Sequence, residues 1–305
     1  MFEIALTVLS CLRAGTRADV AWVADYAGPE INGKNGAIAI TPGGGKMGSL
    51  LSNAIDGQLI DHSRRHFEDA QLFQIEISGV DALIHGVPEG GKATCICVPA
   101  TALPLEIWQL LIDRNPICIT CEIGAKSISN LNFYTLKTIS KAPQIAQELF
   151  AKGDTGSSVA GNLIISVWYP VTRLVIAGLG PIAEALDSIA QLIGWNVSIA
   201  GNPDISTGMI MGLSPVDATV IMHHNVEDAG RALSSALDSR VGYIGAVGSK
   251  QMQVTRANWL AYRGYSDISR IYGPAGLPIG AKSPSEIAIS ILAEAMAAIH
   301  RQKPA

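Results

Sequence analysis

The apolar positions of this chain fall into two patterns. In the second half, short apolar runs alternate with stretches of helical periodicity, as expected of parallel strands joined by crossover helices. Residues 174–177 form one run; Ile182, Ala185, Leu186, Ile189 and Ile193 then recur at helical spacing, Gly194 ends the helix, and 197–200 supply a second strand. A third strand is expected at 217–222, a helix at 226–237, a fourth strand at 241–247 and a helix at 252–263. A terminal helix at 286–301 carries Ala288, Ile291, Leu292, Ala295 and Ile299 on its inner face. The first half is less regular. Residues 1–24 look mainly helical and 28–35 are a polar turn region. Strands are expected at 36–41, 72–77, 93–98 and 117–123, with helical periodicity over 53–67 and around 105–114. The stretch KGDTGSSVAGN at 152–162 reads as a linker or mobile loop, and 164–169 as a strand leading to Pro170. The expected fold is α/β: a C-terminal Rossmann-like parallel sheet with a separate α/β N-terminal domain. The boundaries are 1–150 for the first domain, 151–170 for the linker and 171–305 for the Rossmann-like domain.

The segment RLVIAGLGPIA at 173–183 has the spacing G-x-G-x-x-A. Gly178 permits a tight turn, Gly180 lets backbone approach a phosphate, and small Ala183 lets helix pack on strand. With Pro181 and Ile182 these residues open a helix whose N-terminus suits an anion. Ligands of such sheets gather at the carboxyl ends of the strands. The candidate cofactor-binding set is therefore Gly178, Gly180, Pro181, Ile182 and Ala183, then His223 and His224 after the third strand. Gly245, Gly248, Ser249 and Lys250 join it from the fourth-strand loop, and Gly276 and Gly280 from the last loop. Small residues, a hydroxyl and a cation at 245–250 can satisfy a phosphate. Adjacent histidines on a strand face opposite ways, so one of the two is structural. No catalytic residue is assigned; His223 is the best candidate for one, and no metal site is expected. The second strand ends in Ala200-Gly201-Asn202, with Asp204 late, so the acidic partner of a ribose is missing from its usual place.

Composition narrows the classes. The 305 residues are 48% apolar and 16% charged, with a net charge of −4 and no basic run, which argues against nucleic-acid binding. No segment reaches the ~20 apolar residues that span a bilayer. The start, MFEIALTVLSCLRAG, lacks a basic region and carries Glu3, so it reads as an amphipathic helix rather than a signal peptide. Five cysteines, an odd number, fit a reducing cytoplasm. Cys118 and Cys121 have redox-motif spacing but lie in an apolar run, and Cys95 and Cys97 share one strand face with no histidine nearby; both pairs read as buried strand thiols. The low charge points to extensive buried surface between domains or subunits, and a homodimer is expected.

The block YIGAVGSK at 243–250 and the block YGPAGLPIGAKSPSEIAISILAEAMA at 272–297 strongly resemble the XdhC/CoxI family, accessory proteins of molybdenum hydroxylases such as xanthine dehydrogenase. The family's glycine turn, histidine-bearing strand end, Gly-Ser-Lys/Arg loop and P-x-G-L-x-I-G-A-x-[ST]-P-x-E-I-A-x-S-I-x-A-E signature occur here in order, over about residues 173–297. The first half is similar only at 36–40 and at Gly48-Ser49-Leu50-Leu51. It departs where the family has Gly-Gly-Cys-Val-Glu, since this chain reads Ser52-Asn53-Ala54-Ile55-Asp56, and where the family has Cys-Gly-Gly, since it reads Glu89-Gly90-Gly91. The family's histidine after the second glycine is Pro181 here. Thiol chemistry at those two cysteine positions is excluded. The resemblance implies a protein that binds molybdenum cofactor (molybdopterin) and aids its insertion into a molybdenum hydroxylase client, with a cysteine desulfurase as a further partner. Cofactor handling would then rest on backbone amides and on side chains such as Lys46, Lys92 or Arg17. Two other readings stay open: an NAD(P)-dependent oxidoreductase on the same fold, and an interaction module that has lost its ligand.

Overall fold

The computed structural model describes residues 1–29, 35–85, 90–124 and 127–301. It divides into two compact units, Met1–Pro170 and Val171–Ala305. The first opens with α1 (Phe2–Arg13), whose Ile4, Ala5, Val8 and Leu9 form one buried stripe. There follow β1 (Asp19–Ala27), β2 (Ile38–Ile40), β3 (Lys46–Gly48), α2 (Asp56–Ser63), β4 (Gln71–Ile77), α3 (Gly79–Ile84) and β5 (Gly91–Pro99). Then come α4 (Leu105–Ile112), β6 (Ile117–Ile123), β7 (Ile128–Thr135), α5 (Gln144–Lys152), β8 (Gly156–Ala160) and β9 (Leu163–Trp168). Two antiparallel sheets result, in the orders β3-β2-β1-β5-β4 and β7-β6-β9-β8. One apolar core is shared by Trp22, Ile96 and Val98 of the first sheet and Ile119, Ile164 and Trp168 of the second. Trp22 meets Trp168 edge-on at 5.4 Å, and its indole N–H donates to Ser166 Oγ at 3.0 Å.

Two expectations are corrected in this unit. Residues 19–24 are strand, not helix. Trp22 and Ala24 face one core while Ala21 and Val23 face another, around Ile38, Leu50, Leu51 and Leu59. A strand buried on both faces loses its alternation and reads as an undivided apolar run. The supposed linker is a hairpin: β8 and β9 pair from Gly156↔Val167 to Ala160↔Leu163, and β9 sits beside β6 in the interior of its sheet. Its glycines and serines belong to an edge strand and its turn, where Gly161 takes φ +64°. The polar turn expected at 28–35 lies partly outside the described residues.

Cys95, Cys97, Cys118 and Cys121 are buried free thiols, and Cys11 is half-buried. Burial pushes the thiols of Cys95, Cys118 and Cys121 up to about 12, and that of Cys97 well above its usual value. Alkylation of the native protein at pH 8, read by mass spectrometry, should label Cys11 and leave the other four unmodified until the chain unfolds. Rapid labelling at Cys118 or Cys121 would restore the redox reading. Because the unfolded thiols ionise near 9.0 and the folded ones near 12, stability should fall as pH rises through that interval.

The second unit alternates strand and helix throughout: β10 (Arg173–Ala177), α6 (Pro181–Leu192), β11 (Asn196–Ala200), α7 (Pro203–Met211), β12 (Ala218–Ile221), α8 (Val226–Asp238), β13 (Tyr243–Ala246), α9 (Lys250–Tyr262), β14 (Ile271–Tyr272) and α10 (Pro284–Arg301). All five strands are parallel, in the order β11-β10-β12-β13-β14. The connection from β10 moves one way along the sheet and the later ones the other way. Right-handed crossovers therefore put α6 and α10 on one face and α7, α8 and α9 on the opposite face. Val175, Ala177, Ile221 and Ile244 pack beneath the second group with Ala229, Leu233 and Leu260. At the amino edge of the sheet the fully buried Asp217 carboxylate accepts from Arg173 N, Nε and Nη2 and from Ser214 N and Oγ, at 2.8–3.2 Å. No helix among the described residues is long and apolar enough to cross a membrane.

Candidate functional site

In chain order the Rossmann sheet runs 2-1-3-4-5, so the winding reverses between β10 and β12. Such a switch point opens a crevice at the carboxyl edge, because the loops on either side leave toward opposite faces. The two loops here are Gly178–Gly180 and Met222–Asn225. They touch: a Cβ on Gly178 would lie 3.0–3.2 Å from Met222 Cβ, Met222 C and His223 N, and Gly178 holds φ +130°. Only glycine fits that turn without displacing the neighbouring strand end. Gly180, at φ +129°, has nothing within 4 Å of its missing Cβ and borders open space.

Helix α6 begins at Gly180 with no side-chain cap. Pro181 has no N–H to offer, so the first-turn amides available to an anion are those of Ile182 and Ala183. The other helix starts at this edge are already served. Asn202 Oδ1 accepts from Asp204 N and Ile205 N, Asn225 Oδ1 from Glu227 N and Asp228 N, and Ser249 Oγ from Met252 N. The Ser249 oxygen thus caps α9 as an acceptor, a bond that leaves the hydroxyl proton for another partner, and Lys250 is the exposed residue after it.

The two histidines separate as their alternation requires. His224 is exposed, whereas His223 is 9% exposed and its Nε2 is buried without a hydrogen-bond partner. Burial pushes the His223 pKa down; Asp228 opposes that and Arg256 adds to it, so the ring is neutral at neutral pH. Arg256, itself buried, donates from Nη2 to His223 O at 2.8 Å and from Nη1 to Val247 O at 2.7 Å. Its neighbour one turn earlier, Gln253, donates from Nε2 to Ala246 O at 3.0 Å and Gly248 O at 3.2 Å. These two α9 side chains clamp the β12 and β13 loops together through backbone carbonyls. Sequence reasoning missed both. A signal was present: Gln253 and Arg256 stand in helical register with buried Leu260, and polar residues on an inward face need a reason.

The glycines of the later loops serve packing. Gly245 lies inside β13, where a Cβ would strike the Tyr243 ring at 2.8 Å. Gly248, at φ +139°, faces Met252 Sδ at 3.0 Å from its missing Cβ. Gly276 donates its N–H to Glu294 Oε2 at 2.8 Å, the oxygen that also accepts from Tyr243 OH at 2.7 Å. Glu286 Oε2 accepts from Lys282 N and Ser283 N, while Ser283 Oγ accepts from Glu286 N, a reciprocal cap for α10. The long signature at 274–297 is therefore largely a device for anchoring its own loop, and Gly276 has no free amide for a ligand. Gly280 alone in that loop borders open space.

In the first unit the cations proposed for cofactor handling already have partners. Lys46 pairs with the buried Asp56 at 2.5 Å, Arg17 with the buried Asp19 at 3.1 Å, and Lys92 with Glu76 at 3.5 Å on the surface. Ala54 packs in the core, and Glu89 lies outside the described residues. Among the described residues no three His, Cys, Asp or Glu side chains group as metal ligands.

Residues 174–295 match the family model described as the XdhC Rossmann domain. Uncharacterized protein YqeB of Escherichia coli (strain K12) is 29% identical over 163 residues, 46% of this chain and 30% of that protein. A protein of Bacillus subtilis (strain 168) described as a probable xanthine dehydrogenase subunit is 28% identical over 152 residues, 44% of each chain. The matched segments thus span less than half the length of these relatives. A crystal structure described as a xanthine dehydrogenase from Bacillus halodurans aligns over 99% of this chain and 97% of its own, with 16% identity and a TM-score of 0.47. The match to the XdhC Rossmann domain model thus spans the glycine turn, the clamped loops and the self-anchored signature of the second unit.

Proposed function

We propose that this protein binds molybdenum cofactor as cargo at the carboxyl edge of its Rossmann sheet and serves the maturation of a molybdenum hydroxylase of the xanthine dehydrogenase type. The observation that carries the reading is the uncapped start of α6 with open space at Gly180; the loop that touches the same glycine turn carries the buried, unpartnered His223 Nε2. A buried imidazole nitrogen without a partner costs about 1–3 kcal/mol, which a ligand group can recover. The Ile182 and Ala183 amides and the dipole of α6 suit the cofactor's phosphate. The cargo brings the molybdenum and its sulfur ligands; the protein's part is to hold the phosphate, orient the ring system and release both to the client. The XdhC family match and the Bacillus subtilis relative, described as a probable xanthine dehydrogenase subunit, support the accessory role. Thiol transfer is no part of this proposal, since Ala54 and Glu89 replace the family cysteines.

Co-expression tests it. A molybdenum hydroxylase client produced with this protein should carry more molybdenum per subunit than one produced alone, and Gly180→Ala should remove most of the gain. Equal occupancy with and without the protein, measured by elemental analysis, would overturn the reading.

A further inference from the structure

We infer that the free edge of the Rossmann sheet is a dimer interface. Its occupant is a second copy of this chain, with β11 paired antiparallel to its counterpart across a two-fold axis at Ser198. β11 ends the sheet: among the described residues no strand pairs with its far side. Exposed strand edges are normally blunted by a charge, a proline, a bulge or a very short length. β11 has none of these. It reads Asn196-Val197-Ser198-Ile199-Ala200, and all five residues pair with β10 in unbroken register. β14, at the opposite edge of the same sheet, is only two residues long.

Backbone direction selects the partner and the register. Asn196 N donates to Thr172 O at 2.9 Å, and Ala200 O accepts from Gly178 N at 3.0 Å. Asn196, Ser198 and Ala200 therefore turn their backbone groups to β10, and Val197 and Ile199 turn theirs to the free edge. With Ser198 on a two-fold axis, Val197 of each copy stands opposite Ile199 of the other as a hydrogen-bonded pair. Every outward N–H and C=O of these two residues then finds a partner, and their β-branched side chains meet across the strands. An axis at Val197 or at Ile199 would instead set the other residue opposite Trp195 or Gly201, outside the strand.

The flank of this edge is apolar. Asp204 of α7 bonds Arg231 of α8, which marks the inner flank of α7. Ile205 and Met209 lie about 100° and 140° further round, on the flank turned away from α8 and toward the edge. At the carboxyl end of β11, Leu179 covers Gly201, whose missing Cβ would lie 2.8 Å from Leu179 Cδ1. Leu179 is 70% exposed, Ile205 54%, Met209 41% and Ile199 37%. At about 200 Å² for a fully exposed residue of this size they present about 400 Å² per copy, half of the ~800 Å² that each partner of a standard interface buries, and the strand backbone, Asn196 and Ser198 add to it.

Sedimentation velocity of the full chain should show a dimer. Ile199→Lys places a charge on both sides of the axis and should raise the dissociation constant at least about tenfold, since the substitution counts twice in a symmetric interface. The double variant Ile205→Glu, Met209→Glu changes only exposed helix positions, should act in the same direction, and serves if thermal melts show Ile199→Lys to be unfolded. The register has its own readout. Opposed residues of a non-hydrogen-bonded antiparallel pair have Cα atoms about 4.5 Å apart, within reach of a disulfide. Ser198→Cys with oxidised glutathione should therefore link two copies through position 198, located by peptide mass spectrometry. Asn196→Cys, about 13 Å from its counterpart, should not link. A chain that stays monomeric at micromolar concentration overturns the inference, as does a dimer that neither responds to these substitutions nor links through Ser198→Cys. Linking through Asn196→Cys in place of Ser198→Cys overturns the axis at Ser198.

Discussion

Asp217→Ala is expected to lower the stability of the second unit by about 3–5 kcal/mol, the range for removing one partner of a buried ionic network. The carboxylate is fully buried and collects three donors from Arg173 and two from Ser214. Arg173 also donates to Gly212 O at 2.7 Å, so the network ties the start of β10 to the turn before β12. Alanine would leave the guanidinium and two backbone amides facing a void that solvent fills poorly. Urea unfolding followed by the fluorescence of Trp195 and Trp259 reads the loss. Asp204→Ala, which breaks an exposed pair with Arg231, is the control and should leave the transition in place. A shift below about 1 kcal/mol for Asp217→Ala would mean that the pair is replaceable by water.

The glycine turn should respond in two separable ways. Gly178→Val is expected to cost about 3 kcal/mol or more, since φ +130° is strained for a side chain and its Cβ would press on Met222 and His223. Gly180→Ala meets no neighbour and should cost only the backbone strain, about 1–3 kcal/mol, yet it should abolish phosphate binding because its methyl enters the open space that the anion would use. Chemical denaturation gives the first quantity and calorimetric titration with inorganic phosphate the second. Equal destabilisation by both would contradict the tight contact at Gly178. Undiminished binding by Gly180→Ala would move the phosphate away from Gly180.

Much of the second unit was legible in the sequence, because its signals are local. An apolar run, a glycine pair and a helical stripe each report on a few neighbouring residues, so β10, α6, β11, α8 and α9 lie within a few residues of their expected bounds. The sequence reading assigns no element between the second and third strands, where α7 stands; Pro203 and Asp204 form its first turn, capped by Asn202. The antiparallel first unit was harder. β1 serves two cores and loses its period, while β7 and β8 carry too many polar residues to stand out as strands.

By itself, then, the sequence determined the alternation of strand and helix after residue 173, the glycine turn, and the absence of an acid after β11. Tertiary structure alone decided which of these meet. The strand order places the Met222–Asn225 loop against Gly178, and packing of α8 and α9 buries His223 while leaving His224 in solvent. It also turns Ser249, Gly276 and Glu294 into structural anchors and brings Arg256 beneath both loops. The reason is physical. Element type follows from period and propensity within one segment, whereas burial and hydrogen-bond partners depend on residues tens of positions away, such as the 33 that separate His223 from Arg256.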